Sequence, residues 1–239
     1  MKFARQERNT IAMNLKYEVR TQQTIDTINK TIDQGIKKIS VIIRHSDRFF
    51  SQEARYEPFM GLTDQGKDFA FDFGSKLRSN PVPRLCSSFI GRCIETAYLI
   101  DKGFTKKNNM HLEHNCLSDI LGPLFIKDAE KAIKMVQRLE SNVFLRDWFD
   151  KRIDESIMEN PEKTSDDLCE FMVEQIKSLK QNQIALCISH DWSIFSIKEF
   201  KMNLKHETAG DVGYLDALVF FEKDNKYYIT NYQTEPVLL

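Results

Sequence analysis

Apolar residues along this chain alternate between short continuous runs and stretches with helical spacing. From about residue 21 to residue 34, three isoleucines recur at intervals of three and four, which predicts an amphipathic helix. Gly35 supplies a stop for that helix. The segment Ile36–Ile43 that follows is almost continuously apolar, which is typical of a strand buried on both faces.

The alternation of helices and strands continues to the end of the chain. Thr63 is a good N-cap for a helix that reaches about Ser79, and the prolines at 81 and 83 then interrupt the chain. Residues from about 127 to 180 are charged and helical, with no strand among them. The other elements predicted are strands at 84–89, 110–116 and 183–188, a helix at 91–102, and a hairpin of 215–223 and 226–233.

Strands alternating with helices predict an α/β protein. We expect a three-layer sandwich with a mainly parallel central sheet and helices on both faces. The length suits one domain spanning 1–239. The strandless stretch predicts a helical cap insertion at about 119–180, which covers one end of the sheet.

Composition narrows the class of protein. The chain is 41% hydrophobic and 29% charged, like an ordinary soluble protein, and its net charge of -1 predicts neither a nucleic-acid nor a membrane partner. No stretch approaches the roughly 18 apolar residues of a membrane span, and the first twenty residues lack the apolar core of a secretory signal. Five cysteines without framework spacing favour a reduced, cytoplasmic location.

Three predicted strands end in residues suited to phosphate chemistry, at the edge where ligands of open α/β sheets collect. These residues are Arg44, His45 and Arg48 after the first strand, Arg92 at the helix start after the second, and His190 with Asp191 after the fourth. If the strands are parallel neighbours, the residues meet in one pocket. Arginine forks bind phosphoryl oxygens, a neutral His45 attacks phosphorus, and a protonated carboxylic acid hands its proton to the departing alcohol.

The same residues resemble the motifs of the histidine phosphatase superfamily, which includes the cofactor-dependent phosphoglycerate mutases and the histidine acid phosphatases. Four fragments occur in the family's order between about residues 38 and 191. They are Arg44-His45 with Arg48, Leu62-Thr63 with Gly66, Ser87-Ser88 with Arg92 and Thr96-Ala97, and Ser189-His190-Asp191. Ser46 departs from the pattern, because it replaces the usual glycine, and Phe49-Phe50 departs from the continuation found in acid phosphatases.

The resemblance implies a phosphomonoesterase that hydrolyses a small phosphorylated metabolite through a phosphohistidine on His45. Arg44, Arg92 and His190 would hold the phosphoryl group, while Arg48 adds a contact or orients its loop. The sequence contains no glycine-rich nucleotide-binding loop and no second ligand pair beside His111 and His114, so we expect no cofactor and no metal. The substrate itself and the oligomeric state are not predicted.

The general acid is open between two carboxylates. Asp191 resembles the aspartate that donates the proton in the acid phosphatase branch. Asp119 follows the third predicted strand, where the mutase-like branch places its acidic group. Either residue also suits a helix cap.

Three other functions compete with the phosphomonoesterase. Two use the same fold: a phosphomutase, and a non-catalytic protein that binds a phospholigand. The third is a thiol phosphatase, because Cys86 and Arg92 have the Cys-x5-Arg spacing of such enzymes. That spacing leaves His45 and His190 unexplained, and a buried strand position is the better interpretation of Cys86.

Overall fold

Seven strands form one mixed sheet in this computed structural model, which describes residues 2–51 and 53–239, with side chains from Tyr17 onward except at 52 and 54. The strands are β1 (Ile39–Arg44), β2 (Val82–Ser87), β3 (Cys116–Leu117), β4 (Gln183–Ser189), β5 (Ala217–Lys223), β6 (Lys226–Asn231) and β7 (Thr234–Leu238). Their order is β3-β2-β4-β1-β5-β6-β7. The first four in this order are parallel, and β5, β6 and β7 extend the sheet in antiparallel fashion. The predicted α/β class is confirmed.

Helices cover both faces of the sheet. They are α1 (Lys2–Asp33), α2 (Asp64–Lys76), α3 (Gly91–Asn108), α4 (Ala129–Leu139), α5 (Ser141–Phe149), α6 (Pro161–Ser178), α7 (Asp191–Met202) and α8 (His206–Ala209), with 3-10 turns at Ala54–Phe59 and Asp119–Leu121. One apolar core joins α1, α2 and α3 to the sheet, and a second joins α4 to α7 to the opposite face. Alternate strand residues feed the two cores, as the period of two requires. No helix in the described part of the chain combines the length and apolar character that crossing a membrane needs.

Local signals explain where several elements begin and end. The Thr63 hydroxyl accepts a hydrogen bond from the Gly66 amide at 3.0 Å, so the predicted cap of α2 is confirmed. Gly35 has a φ of +78°, the left-handed conformation that ends a helix, and it lies two residues after Asp33, the last residue of α1. Asn160 caps α6, and Pro161 occupies the first turn of that helix.

Three elements differ from the sequence prediction. β3 contains two residues instead of 110–116, because only Cys116 and Leu117 pair with β2, at Cys86 and Ser87, and the polar segment before them forms no ladder with that strand. α1 begins at Lys2 rather than near residue 21. β7 was not predicted, although it forms the edge of the sheet beyond the predicted hairpin of β5 and β6.

The predicted cap range of 119–180 contains three helices with different surroundings. α6 lies directly on the sheet, where the Ser40 hydroxyl of β1 donates a hydrogen bond to the Met172 carbonyl at 2.8 Å. α4 and α5 contribute to the apolar core on the same face of the sheet, in which Trp148 of α5 stacks on Phe125 with 5.2 Å between the ring centroids. The division of the chain into a core and a cap stays a prediction.

Candidate active site

The carboxyl ends of β1, β2 and β4 lie side by side, and this adjacency assembles the candidate site. The His45 amide donates to the Ser189 carbonyl at 3.0 Å, and the Ser88 amide donates to the Ile188 carbonyl at 2.9 Å. The residues that follow the three strands therefore share one edge of the sheet. The structure brings together six of the seven candidates: Arg44, His45, Arg48, Arg92, His190 and Asp191.

His45 is buried, and its two ring nitrogens have opposite roles. Nδ1 lies 2.8 Å from the Ser46 carbonyl, which can only accept, so Nδ1 carries the proton. Nε2 lies 3.1 Å from Nε of Arg92, which can only donate, so Nε2 presents its lone pair. The backbone thus selects the tautomer in which the unprotonated nitrogen faces the arginine.

The environment of His45 also keeps the ring neutral. Burial lowers its pKa well below the ordinary value, and the nearby His190, Arg44 and Arg92 lower it further. A neutral imidazole with a free Nε2 lone pair can act as a nucleophile at neutral pH.

His190 lies beside His45, with the two ring centroids 5.5 Å apart. Its Nδ1 is 3.4 Å from Nη2 of Arg92 and its Nε2 is 3.1 Å from the Ser88 hydroxyl. Burial, followed by the charge of Arg92, lowers the pKa of His190 to about 3. Arg92 therefore bridges the two neutral histidines.

Arg44 pairs with Asp191 at the other side of the pocket. Its Nη2 is 2.8 Å from Oδ2 of Asp191, its Nη1 donates to the Val212 carbonyl at 2.6 Å, and its guanidinium lies 4.1 Å from the ring centroid of Tyr214. Asp191 begins α7, and its Oδ1 accepts from the Trp192 amide at 2.9 Å. Burial raises the pKa of Asp191, but Arg44, His190 and this amide outweigh burial, so the pKa lies below its ordinary value.

Arg48 contacts a carboxylate that the sequence did not single out. Glu57, in the 3-10 turn of 54–59, forms an ion pair with Arg48, and the Glu57 carbonyl accepts from Nη1 of Arg92 at 3.2 Å. The turn thereby lies against two of the cations. No spacing or motif marks Glu57, since its position depends on the path of an irregular loop. Of the two roles open to Arg48, the ion pair favours orientation of the loop.

Comparison with known proteins identifies the fold. No protein-family model and no curated protein matches the sequence. Solved structures match over most of their length. A mutant phosphoserine phosphatase from Entamoeba histolytica in complex with phosphoserine is 12% identical, with a TM-score of 0.52, and the match covers 81% of this chain and 95% of that one. A putative alpha-ribazole-5'-P phosphatase from Escherichia coli is 13% identical, with a TM-score of 0.52 and coverages of 82% and 95%.

A mycobacterial glucosyl-3-phosphoglycerate phosphatase gives the same result, at 12% identity and a TM-score of 0.52, with 84% of this chain and 97% of that one covered. All three are members of the superfamily that the motifs resemble. The chain has the histidine phosphatase fold. At these identities the likeness concerns the fold alone, so activity and residue roles depend on the site itself.

Within the histidine phosphatase fold, the Leu62-Thr63 and Gly66 fragment anchors the loop that follows β1 and contains His45 and Asp47. The Thr63 hydroxyl donates to the Asp47 carboxylate at 2.6 Å, and the Thr63 amide donates to the Asp47 carbonyl at 3.1 Å. A Cβ at Gly66 would lie 2.0 Å from that carbonyl, so only glycine permits this close approach. The helix start therefore holds the backbone two residues beyond His45.

Ser46, the departure from the histidine phosphatase pattern, is fully buried. Its amide donates to the Thr96 hydroxyl at 3.1 Å, and that hydroxyl donates to the Arg92 carbonyl at 2.7 Å. Thr96 thus ties the loop that follows β1 to α3, the helix that carries Arg92. With a serine at this position, the Ser46 carbonyl still lies within hydrogen-bond distance of Nδ1 of His45.

Asp119 lies apart from the other candidates. It begins the 3-10 turn after β3, its side chain is exposed, and its carbonyl accepts from the Gly122 amide at 2.9 Å. No described hydrogen bond or ion pair connects its carboxylate to another described residue. Because the Ser118 amide donates to the Ser87 carbonyl at 2.9 Å, Asp119 still begins beside the end of β2.

The thiol alternative does not fit the surroundings of Cys86. Cys86 is buried within β2, in register with Cys116 and Cys187 on the neighbouring strands. Burial, with the neighbouring thiols, raises its pKa, whereas a nucleophilic thiolate needs a lowered pKa. Burial also raises the pKa of Cys93 to about 12.

One cluster among the described residues has the makings of a metal site, away from the strand ends. Glu199, His206 and Glu207 bring ligand atoms within 4.8 Å of one another. The Arg146 guanidinium already occupies this cluster, 2.9 Å from Glu199 and 2.6 Å from Glu207. The carboxylates are therefore neutralised by a side chain of the protein itself.

Proposed function

We propose that this protein is a phosphomonoesterase that hydrolyses a small phosphorylated metabolite through a phosphohistidine on His45. The observation that carries the proposal is the orientation of the His45 ring. The Ser46 carbonyl holds the proton on Nδ1, so Nε2 presents its lone pair beside Arg92. A buried imidazole with that tautomer among arginines suits attack on a phosphoryl group.

In the first step, Nε2 of His45 attacks phosphorus, and the bond from phosphorus to the ester oxygen breaks. Arg44, Arg92 and His190 hold the phosphoryl oxygens, and the arginines compensate the charge that develops on them. Asp191, in its protonated form, gives its proton to the departing alcohol. The proposal keeps Asp119 as the alternative acid.

In the second step, water attacks phosphorus and the bond from nitrogen to phosphorus breaks. The carboxylate formed in the first step takes a proton from the water, and phosphate leaves with the enzyme restored. Proteins of the same fold support this chemistry by analogy: a phosphoserine phosphatase and a glucosyl-3-phosphoglycerate phosphatase have the fold of this chain.

Phosphoenzyme trapping tests the proposal. We expect a rapidly quenched reaction with a labelled phosphomonoester to give a phosphoenzyme that is labile in acid and stable in alkali. His45→Ala should abolish the label, and the matched control Cys86→Ser should retain it, because the thiol is buried and protonated.

Three results would contradict the proposal. Loss of label in Cys86→Ser with retention in His45→Ala would indicate a thiol mechanism. Binding of vanadate or phosphate without turnover in the unmodified protein would indicate a binding protein. Transfer of the label to an added alcohol in preference to water would indicate a phosphomutase.

A further inference from the structure

Aromatic side chains stand exposed around the candidate phosphate pocket. Four of them lie in the loop that follows Arg48, and a fifth follows Ser88. They are Phe49, Phe50, Tyr56, Phe59 and Phe89. An exposed apolar cluster of this kind, next to a pocket of charged residues, is typical of a ligand-binding surface. We call these five residues the aromatic rim.

The loop that carries most of the aromatic rim is fixed against the pocket. At its base, the Phe49 amide donates to the Gly61 carbonyl at 3.0 Å. At its far point, the Glu57 carbonyl accepts from Arg92 at 3.2 Å. Tyr56 and Phe59 are three residues apart in the 3-10 turn, where such residues lie on the same side. The rim is therefore held close to Arg92, which contacts the nucleophile.

Individual rings of the rim contact the site directly and leave surface open. Phe50 lies over the Arg48 guanidinium, 4.0 Å from it, yet 66% of the residue is exposed, so much of its ring surface is free. Phe59 is 78% exposed. Phe89, which follows Ser88 after the end of β2, covers the backbone at Gly122, where a Cβ would meet the Phe89 ring at 2.5 Å. Exposed aromatic side chains thus follow both β1 and β2.

Few cations near the aromatic rim are free to bind a second anionic group of a substrate. Arg55 is the one cation between residues 49 and 62, and it is paired with Glu53 at 2.9 Å and lies 4.6 Å from the Tyr56 ring centroid. On α4, Lys131 pairs with Asp128 at 2.9 Å and Lys134 with Glu130 at 2.6 Å. Arg55, Lys131 and Lys134 are thus paired with neighbouring carboxylates, whereas Arg138, the remaining cation of α4, has no ion pair with a described residue.

We propose that the pocket takes phosphomonoesters whose leaving alcohol carries an aromatic ring, an assignment that rests on the proposed phosphatase function. The phosphoryl group occupies the arginine and histidine pocket, and the ring of the alcohol stacks on the aromatic rim. Aromatic partners favour an aromatic ligand, because offset and edge-to-face contacts between rings add to the burial of apolar area.

A matched pair of substrates tests the assignment. Phenylethyl phosphate and propyl phosphate leave as primary alcohols of similar acidity and differ in the ring, so leaving-group chemistry does not bias the comparison. We expect kcat/KM to favour the phenylethyl ester by about tenfold or more. Phe59→Ala and Phe50→Ala should each bring this ratio towards one, while Phe59→Tyr, which keeps the ring, should retain it.

Leu238→Ala is the control, because it removes an apolar side chain that is also more than half exposed from β7, at the far edge of the sheet. It should leave the ratio unchanged. Circular dichroism of each variant establishes that it is folded.

Equal kcat/KM for the two esters in the unmodified protein would overturn the assignment. A kcat/KM for hexyl phosphate as high as that for the phenylethyl ester would also overturn it. So would a higher kcat/KM for a substrate with a second anionic group. These outcomes differ from failure of the proposed function. If phosphoenzyme forms on His45 from both esters at the same rate, the phosphatase proposal stands and the aromatic assignment fails. If neither ester gives phosphoenzyme or product, the phosphatase proposal itself fails.

Discussion

Burial keeps both histidines of the pocket neutral, and the surrounding arginines reinforce its effect. Arg92 donates to Nε2 of His45 and lies against Nδ1 of His190, and its charge adds to the effect of burial on both pKa values. Both rings are neutral in the absence of ligand. A phosphate dianion brings the opposite charge, so its arrival favours protonation of the same rings. The site is therefore prepared for an anion.

The two candidate acids differ in their surroundings, and this difference yields a test. Asp191 is held as a carboxylate by Arg44, so its proton is taken up at acidic pH. If Asp191 is the acid, we expect kcat/KM to rise as pH falls below 7, and Asp191→Asn to remove that rise. The loss should be about 100-fold or more for an alkyl phosphate and small for 4-nitrophenyl phosphate, whose leaving group needs no proton.

Asp119→Asn is the matched variant, since it makes the same change in the exposed candidate. If Asp119→Asn loses activity on the alkyl phosphate and keeps it on 4-nitrophenyl phosphate, while Asp191→Asn keeps activity on both, Asp119 is the general acid. The measurement is kcat/KM against pH for both esters.

Residues that lie next to a strand end could be predicted from the sequence, and residues that depend on a loop could not. Arg44, His45 and His190 directly follow or end buried strands, so their convergence requires only that β1 and β4 be parallel neighbours. Glu57 lies nine positions after Arg48 in the chain, within a 3-10 turn that no periodicity of the sequence predicts. Their chemical roles remain predictions.

Helices α2 and α3 touch through glycines, and this contact fixes the helix that carries Arg92. A Cβ at Gly74 would lie 2.0 Å from the Ile100 carbonyl, and a Cβ at Gly103 would lie 1.9 Å from the Phe71 carbonyl. Each helix therefore offers a glycine to the backbone of the other. Thr63, the N-cap of α2, binds Asp47 in the loop that follows β1. The close approach of the two helices brings this loop next to the start of α3, where the Ser46 amide donates to Thr96.

We expect Gly74→Ala to lower the free energy of unfolding by about 1–3 kcal/mol, because the new methyl group must push two backbones apart. Gly91→Ala is the control: it lies in the first turn of α3, where a Cβ meets nothing within 4 Å, and it should change stability by about 0.5 kcal/mol or less. Urea denaturation measures both. Equal effects of the two substitutions would contradict this account of the contact.

Capping and turn residues at element boundaries explain which elements could be predicted. Thr63 has the spacing of an N-cap, and Asp224-Asn225, both with positive φ, form the predicted turn between β5 and β6. The length of β3 depends on its neighbour instead, since only Cys116 and Leu117 find partners on β2. Pairing partners are a property of the assembled sheet and leave no local signal.

At the scale of the whole molecule, the neutral histidines make stability depend on pH. The pKa of His190 is about 3 in the folded protein and about 6.5 in the unfolded chain, so the unfolded chain binds more protons between these values. Stability therefore falls as pH decreases through this window. His190 alone should lower the free energy of unfolding by about 2 kcal/mol between pH 7 and pH 5.

Comparison with His190→Gln isolates this contribution, because the variant retains the other titrating groups. The decrease in the free energy of unfolding between pH 7 and pH 5 should be smaller in the variant by about 2 kcal/mol. Added phosphate should stabilise the unmodified protein more than the variant, since an anion that binds only the folded state shifts the equilibrium. An identical pH dependence of unfolding in both proteins would contradict the assignment.

The two outer strands give the sheet protected edges. At one edge, β3 offers only Cys116 and Leu117 to an approaching chain. At the other, the Leu239 amide donates inward to the Tyr227 carbonyl at 3.0 Å, so by alternation the Leu238 amide faces outward along β7. β7 also contains Pro236, at the irregularity in its pairing with β6, and proline has no amide hydrogen to offer. Strand addition by a second molecule thus meets a short edge and an interrupted one, which is a protection against aggregation.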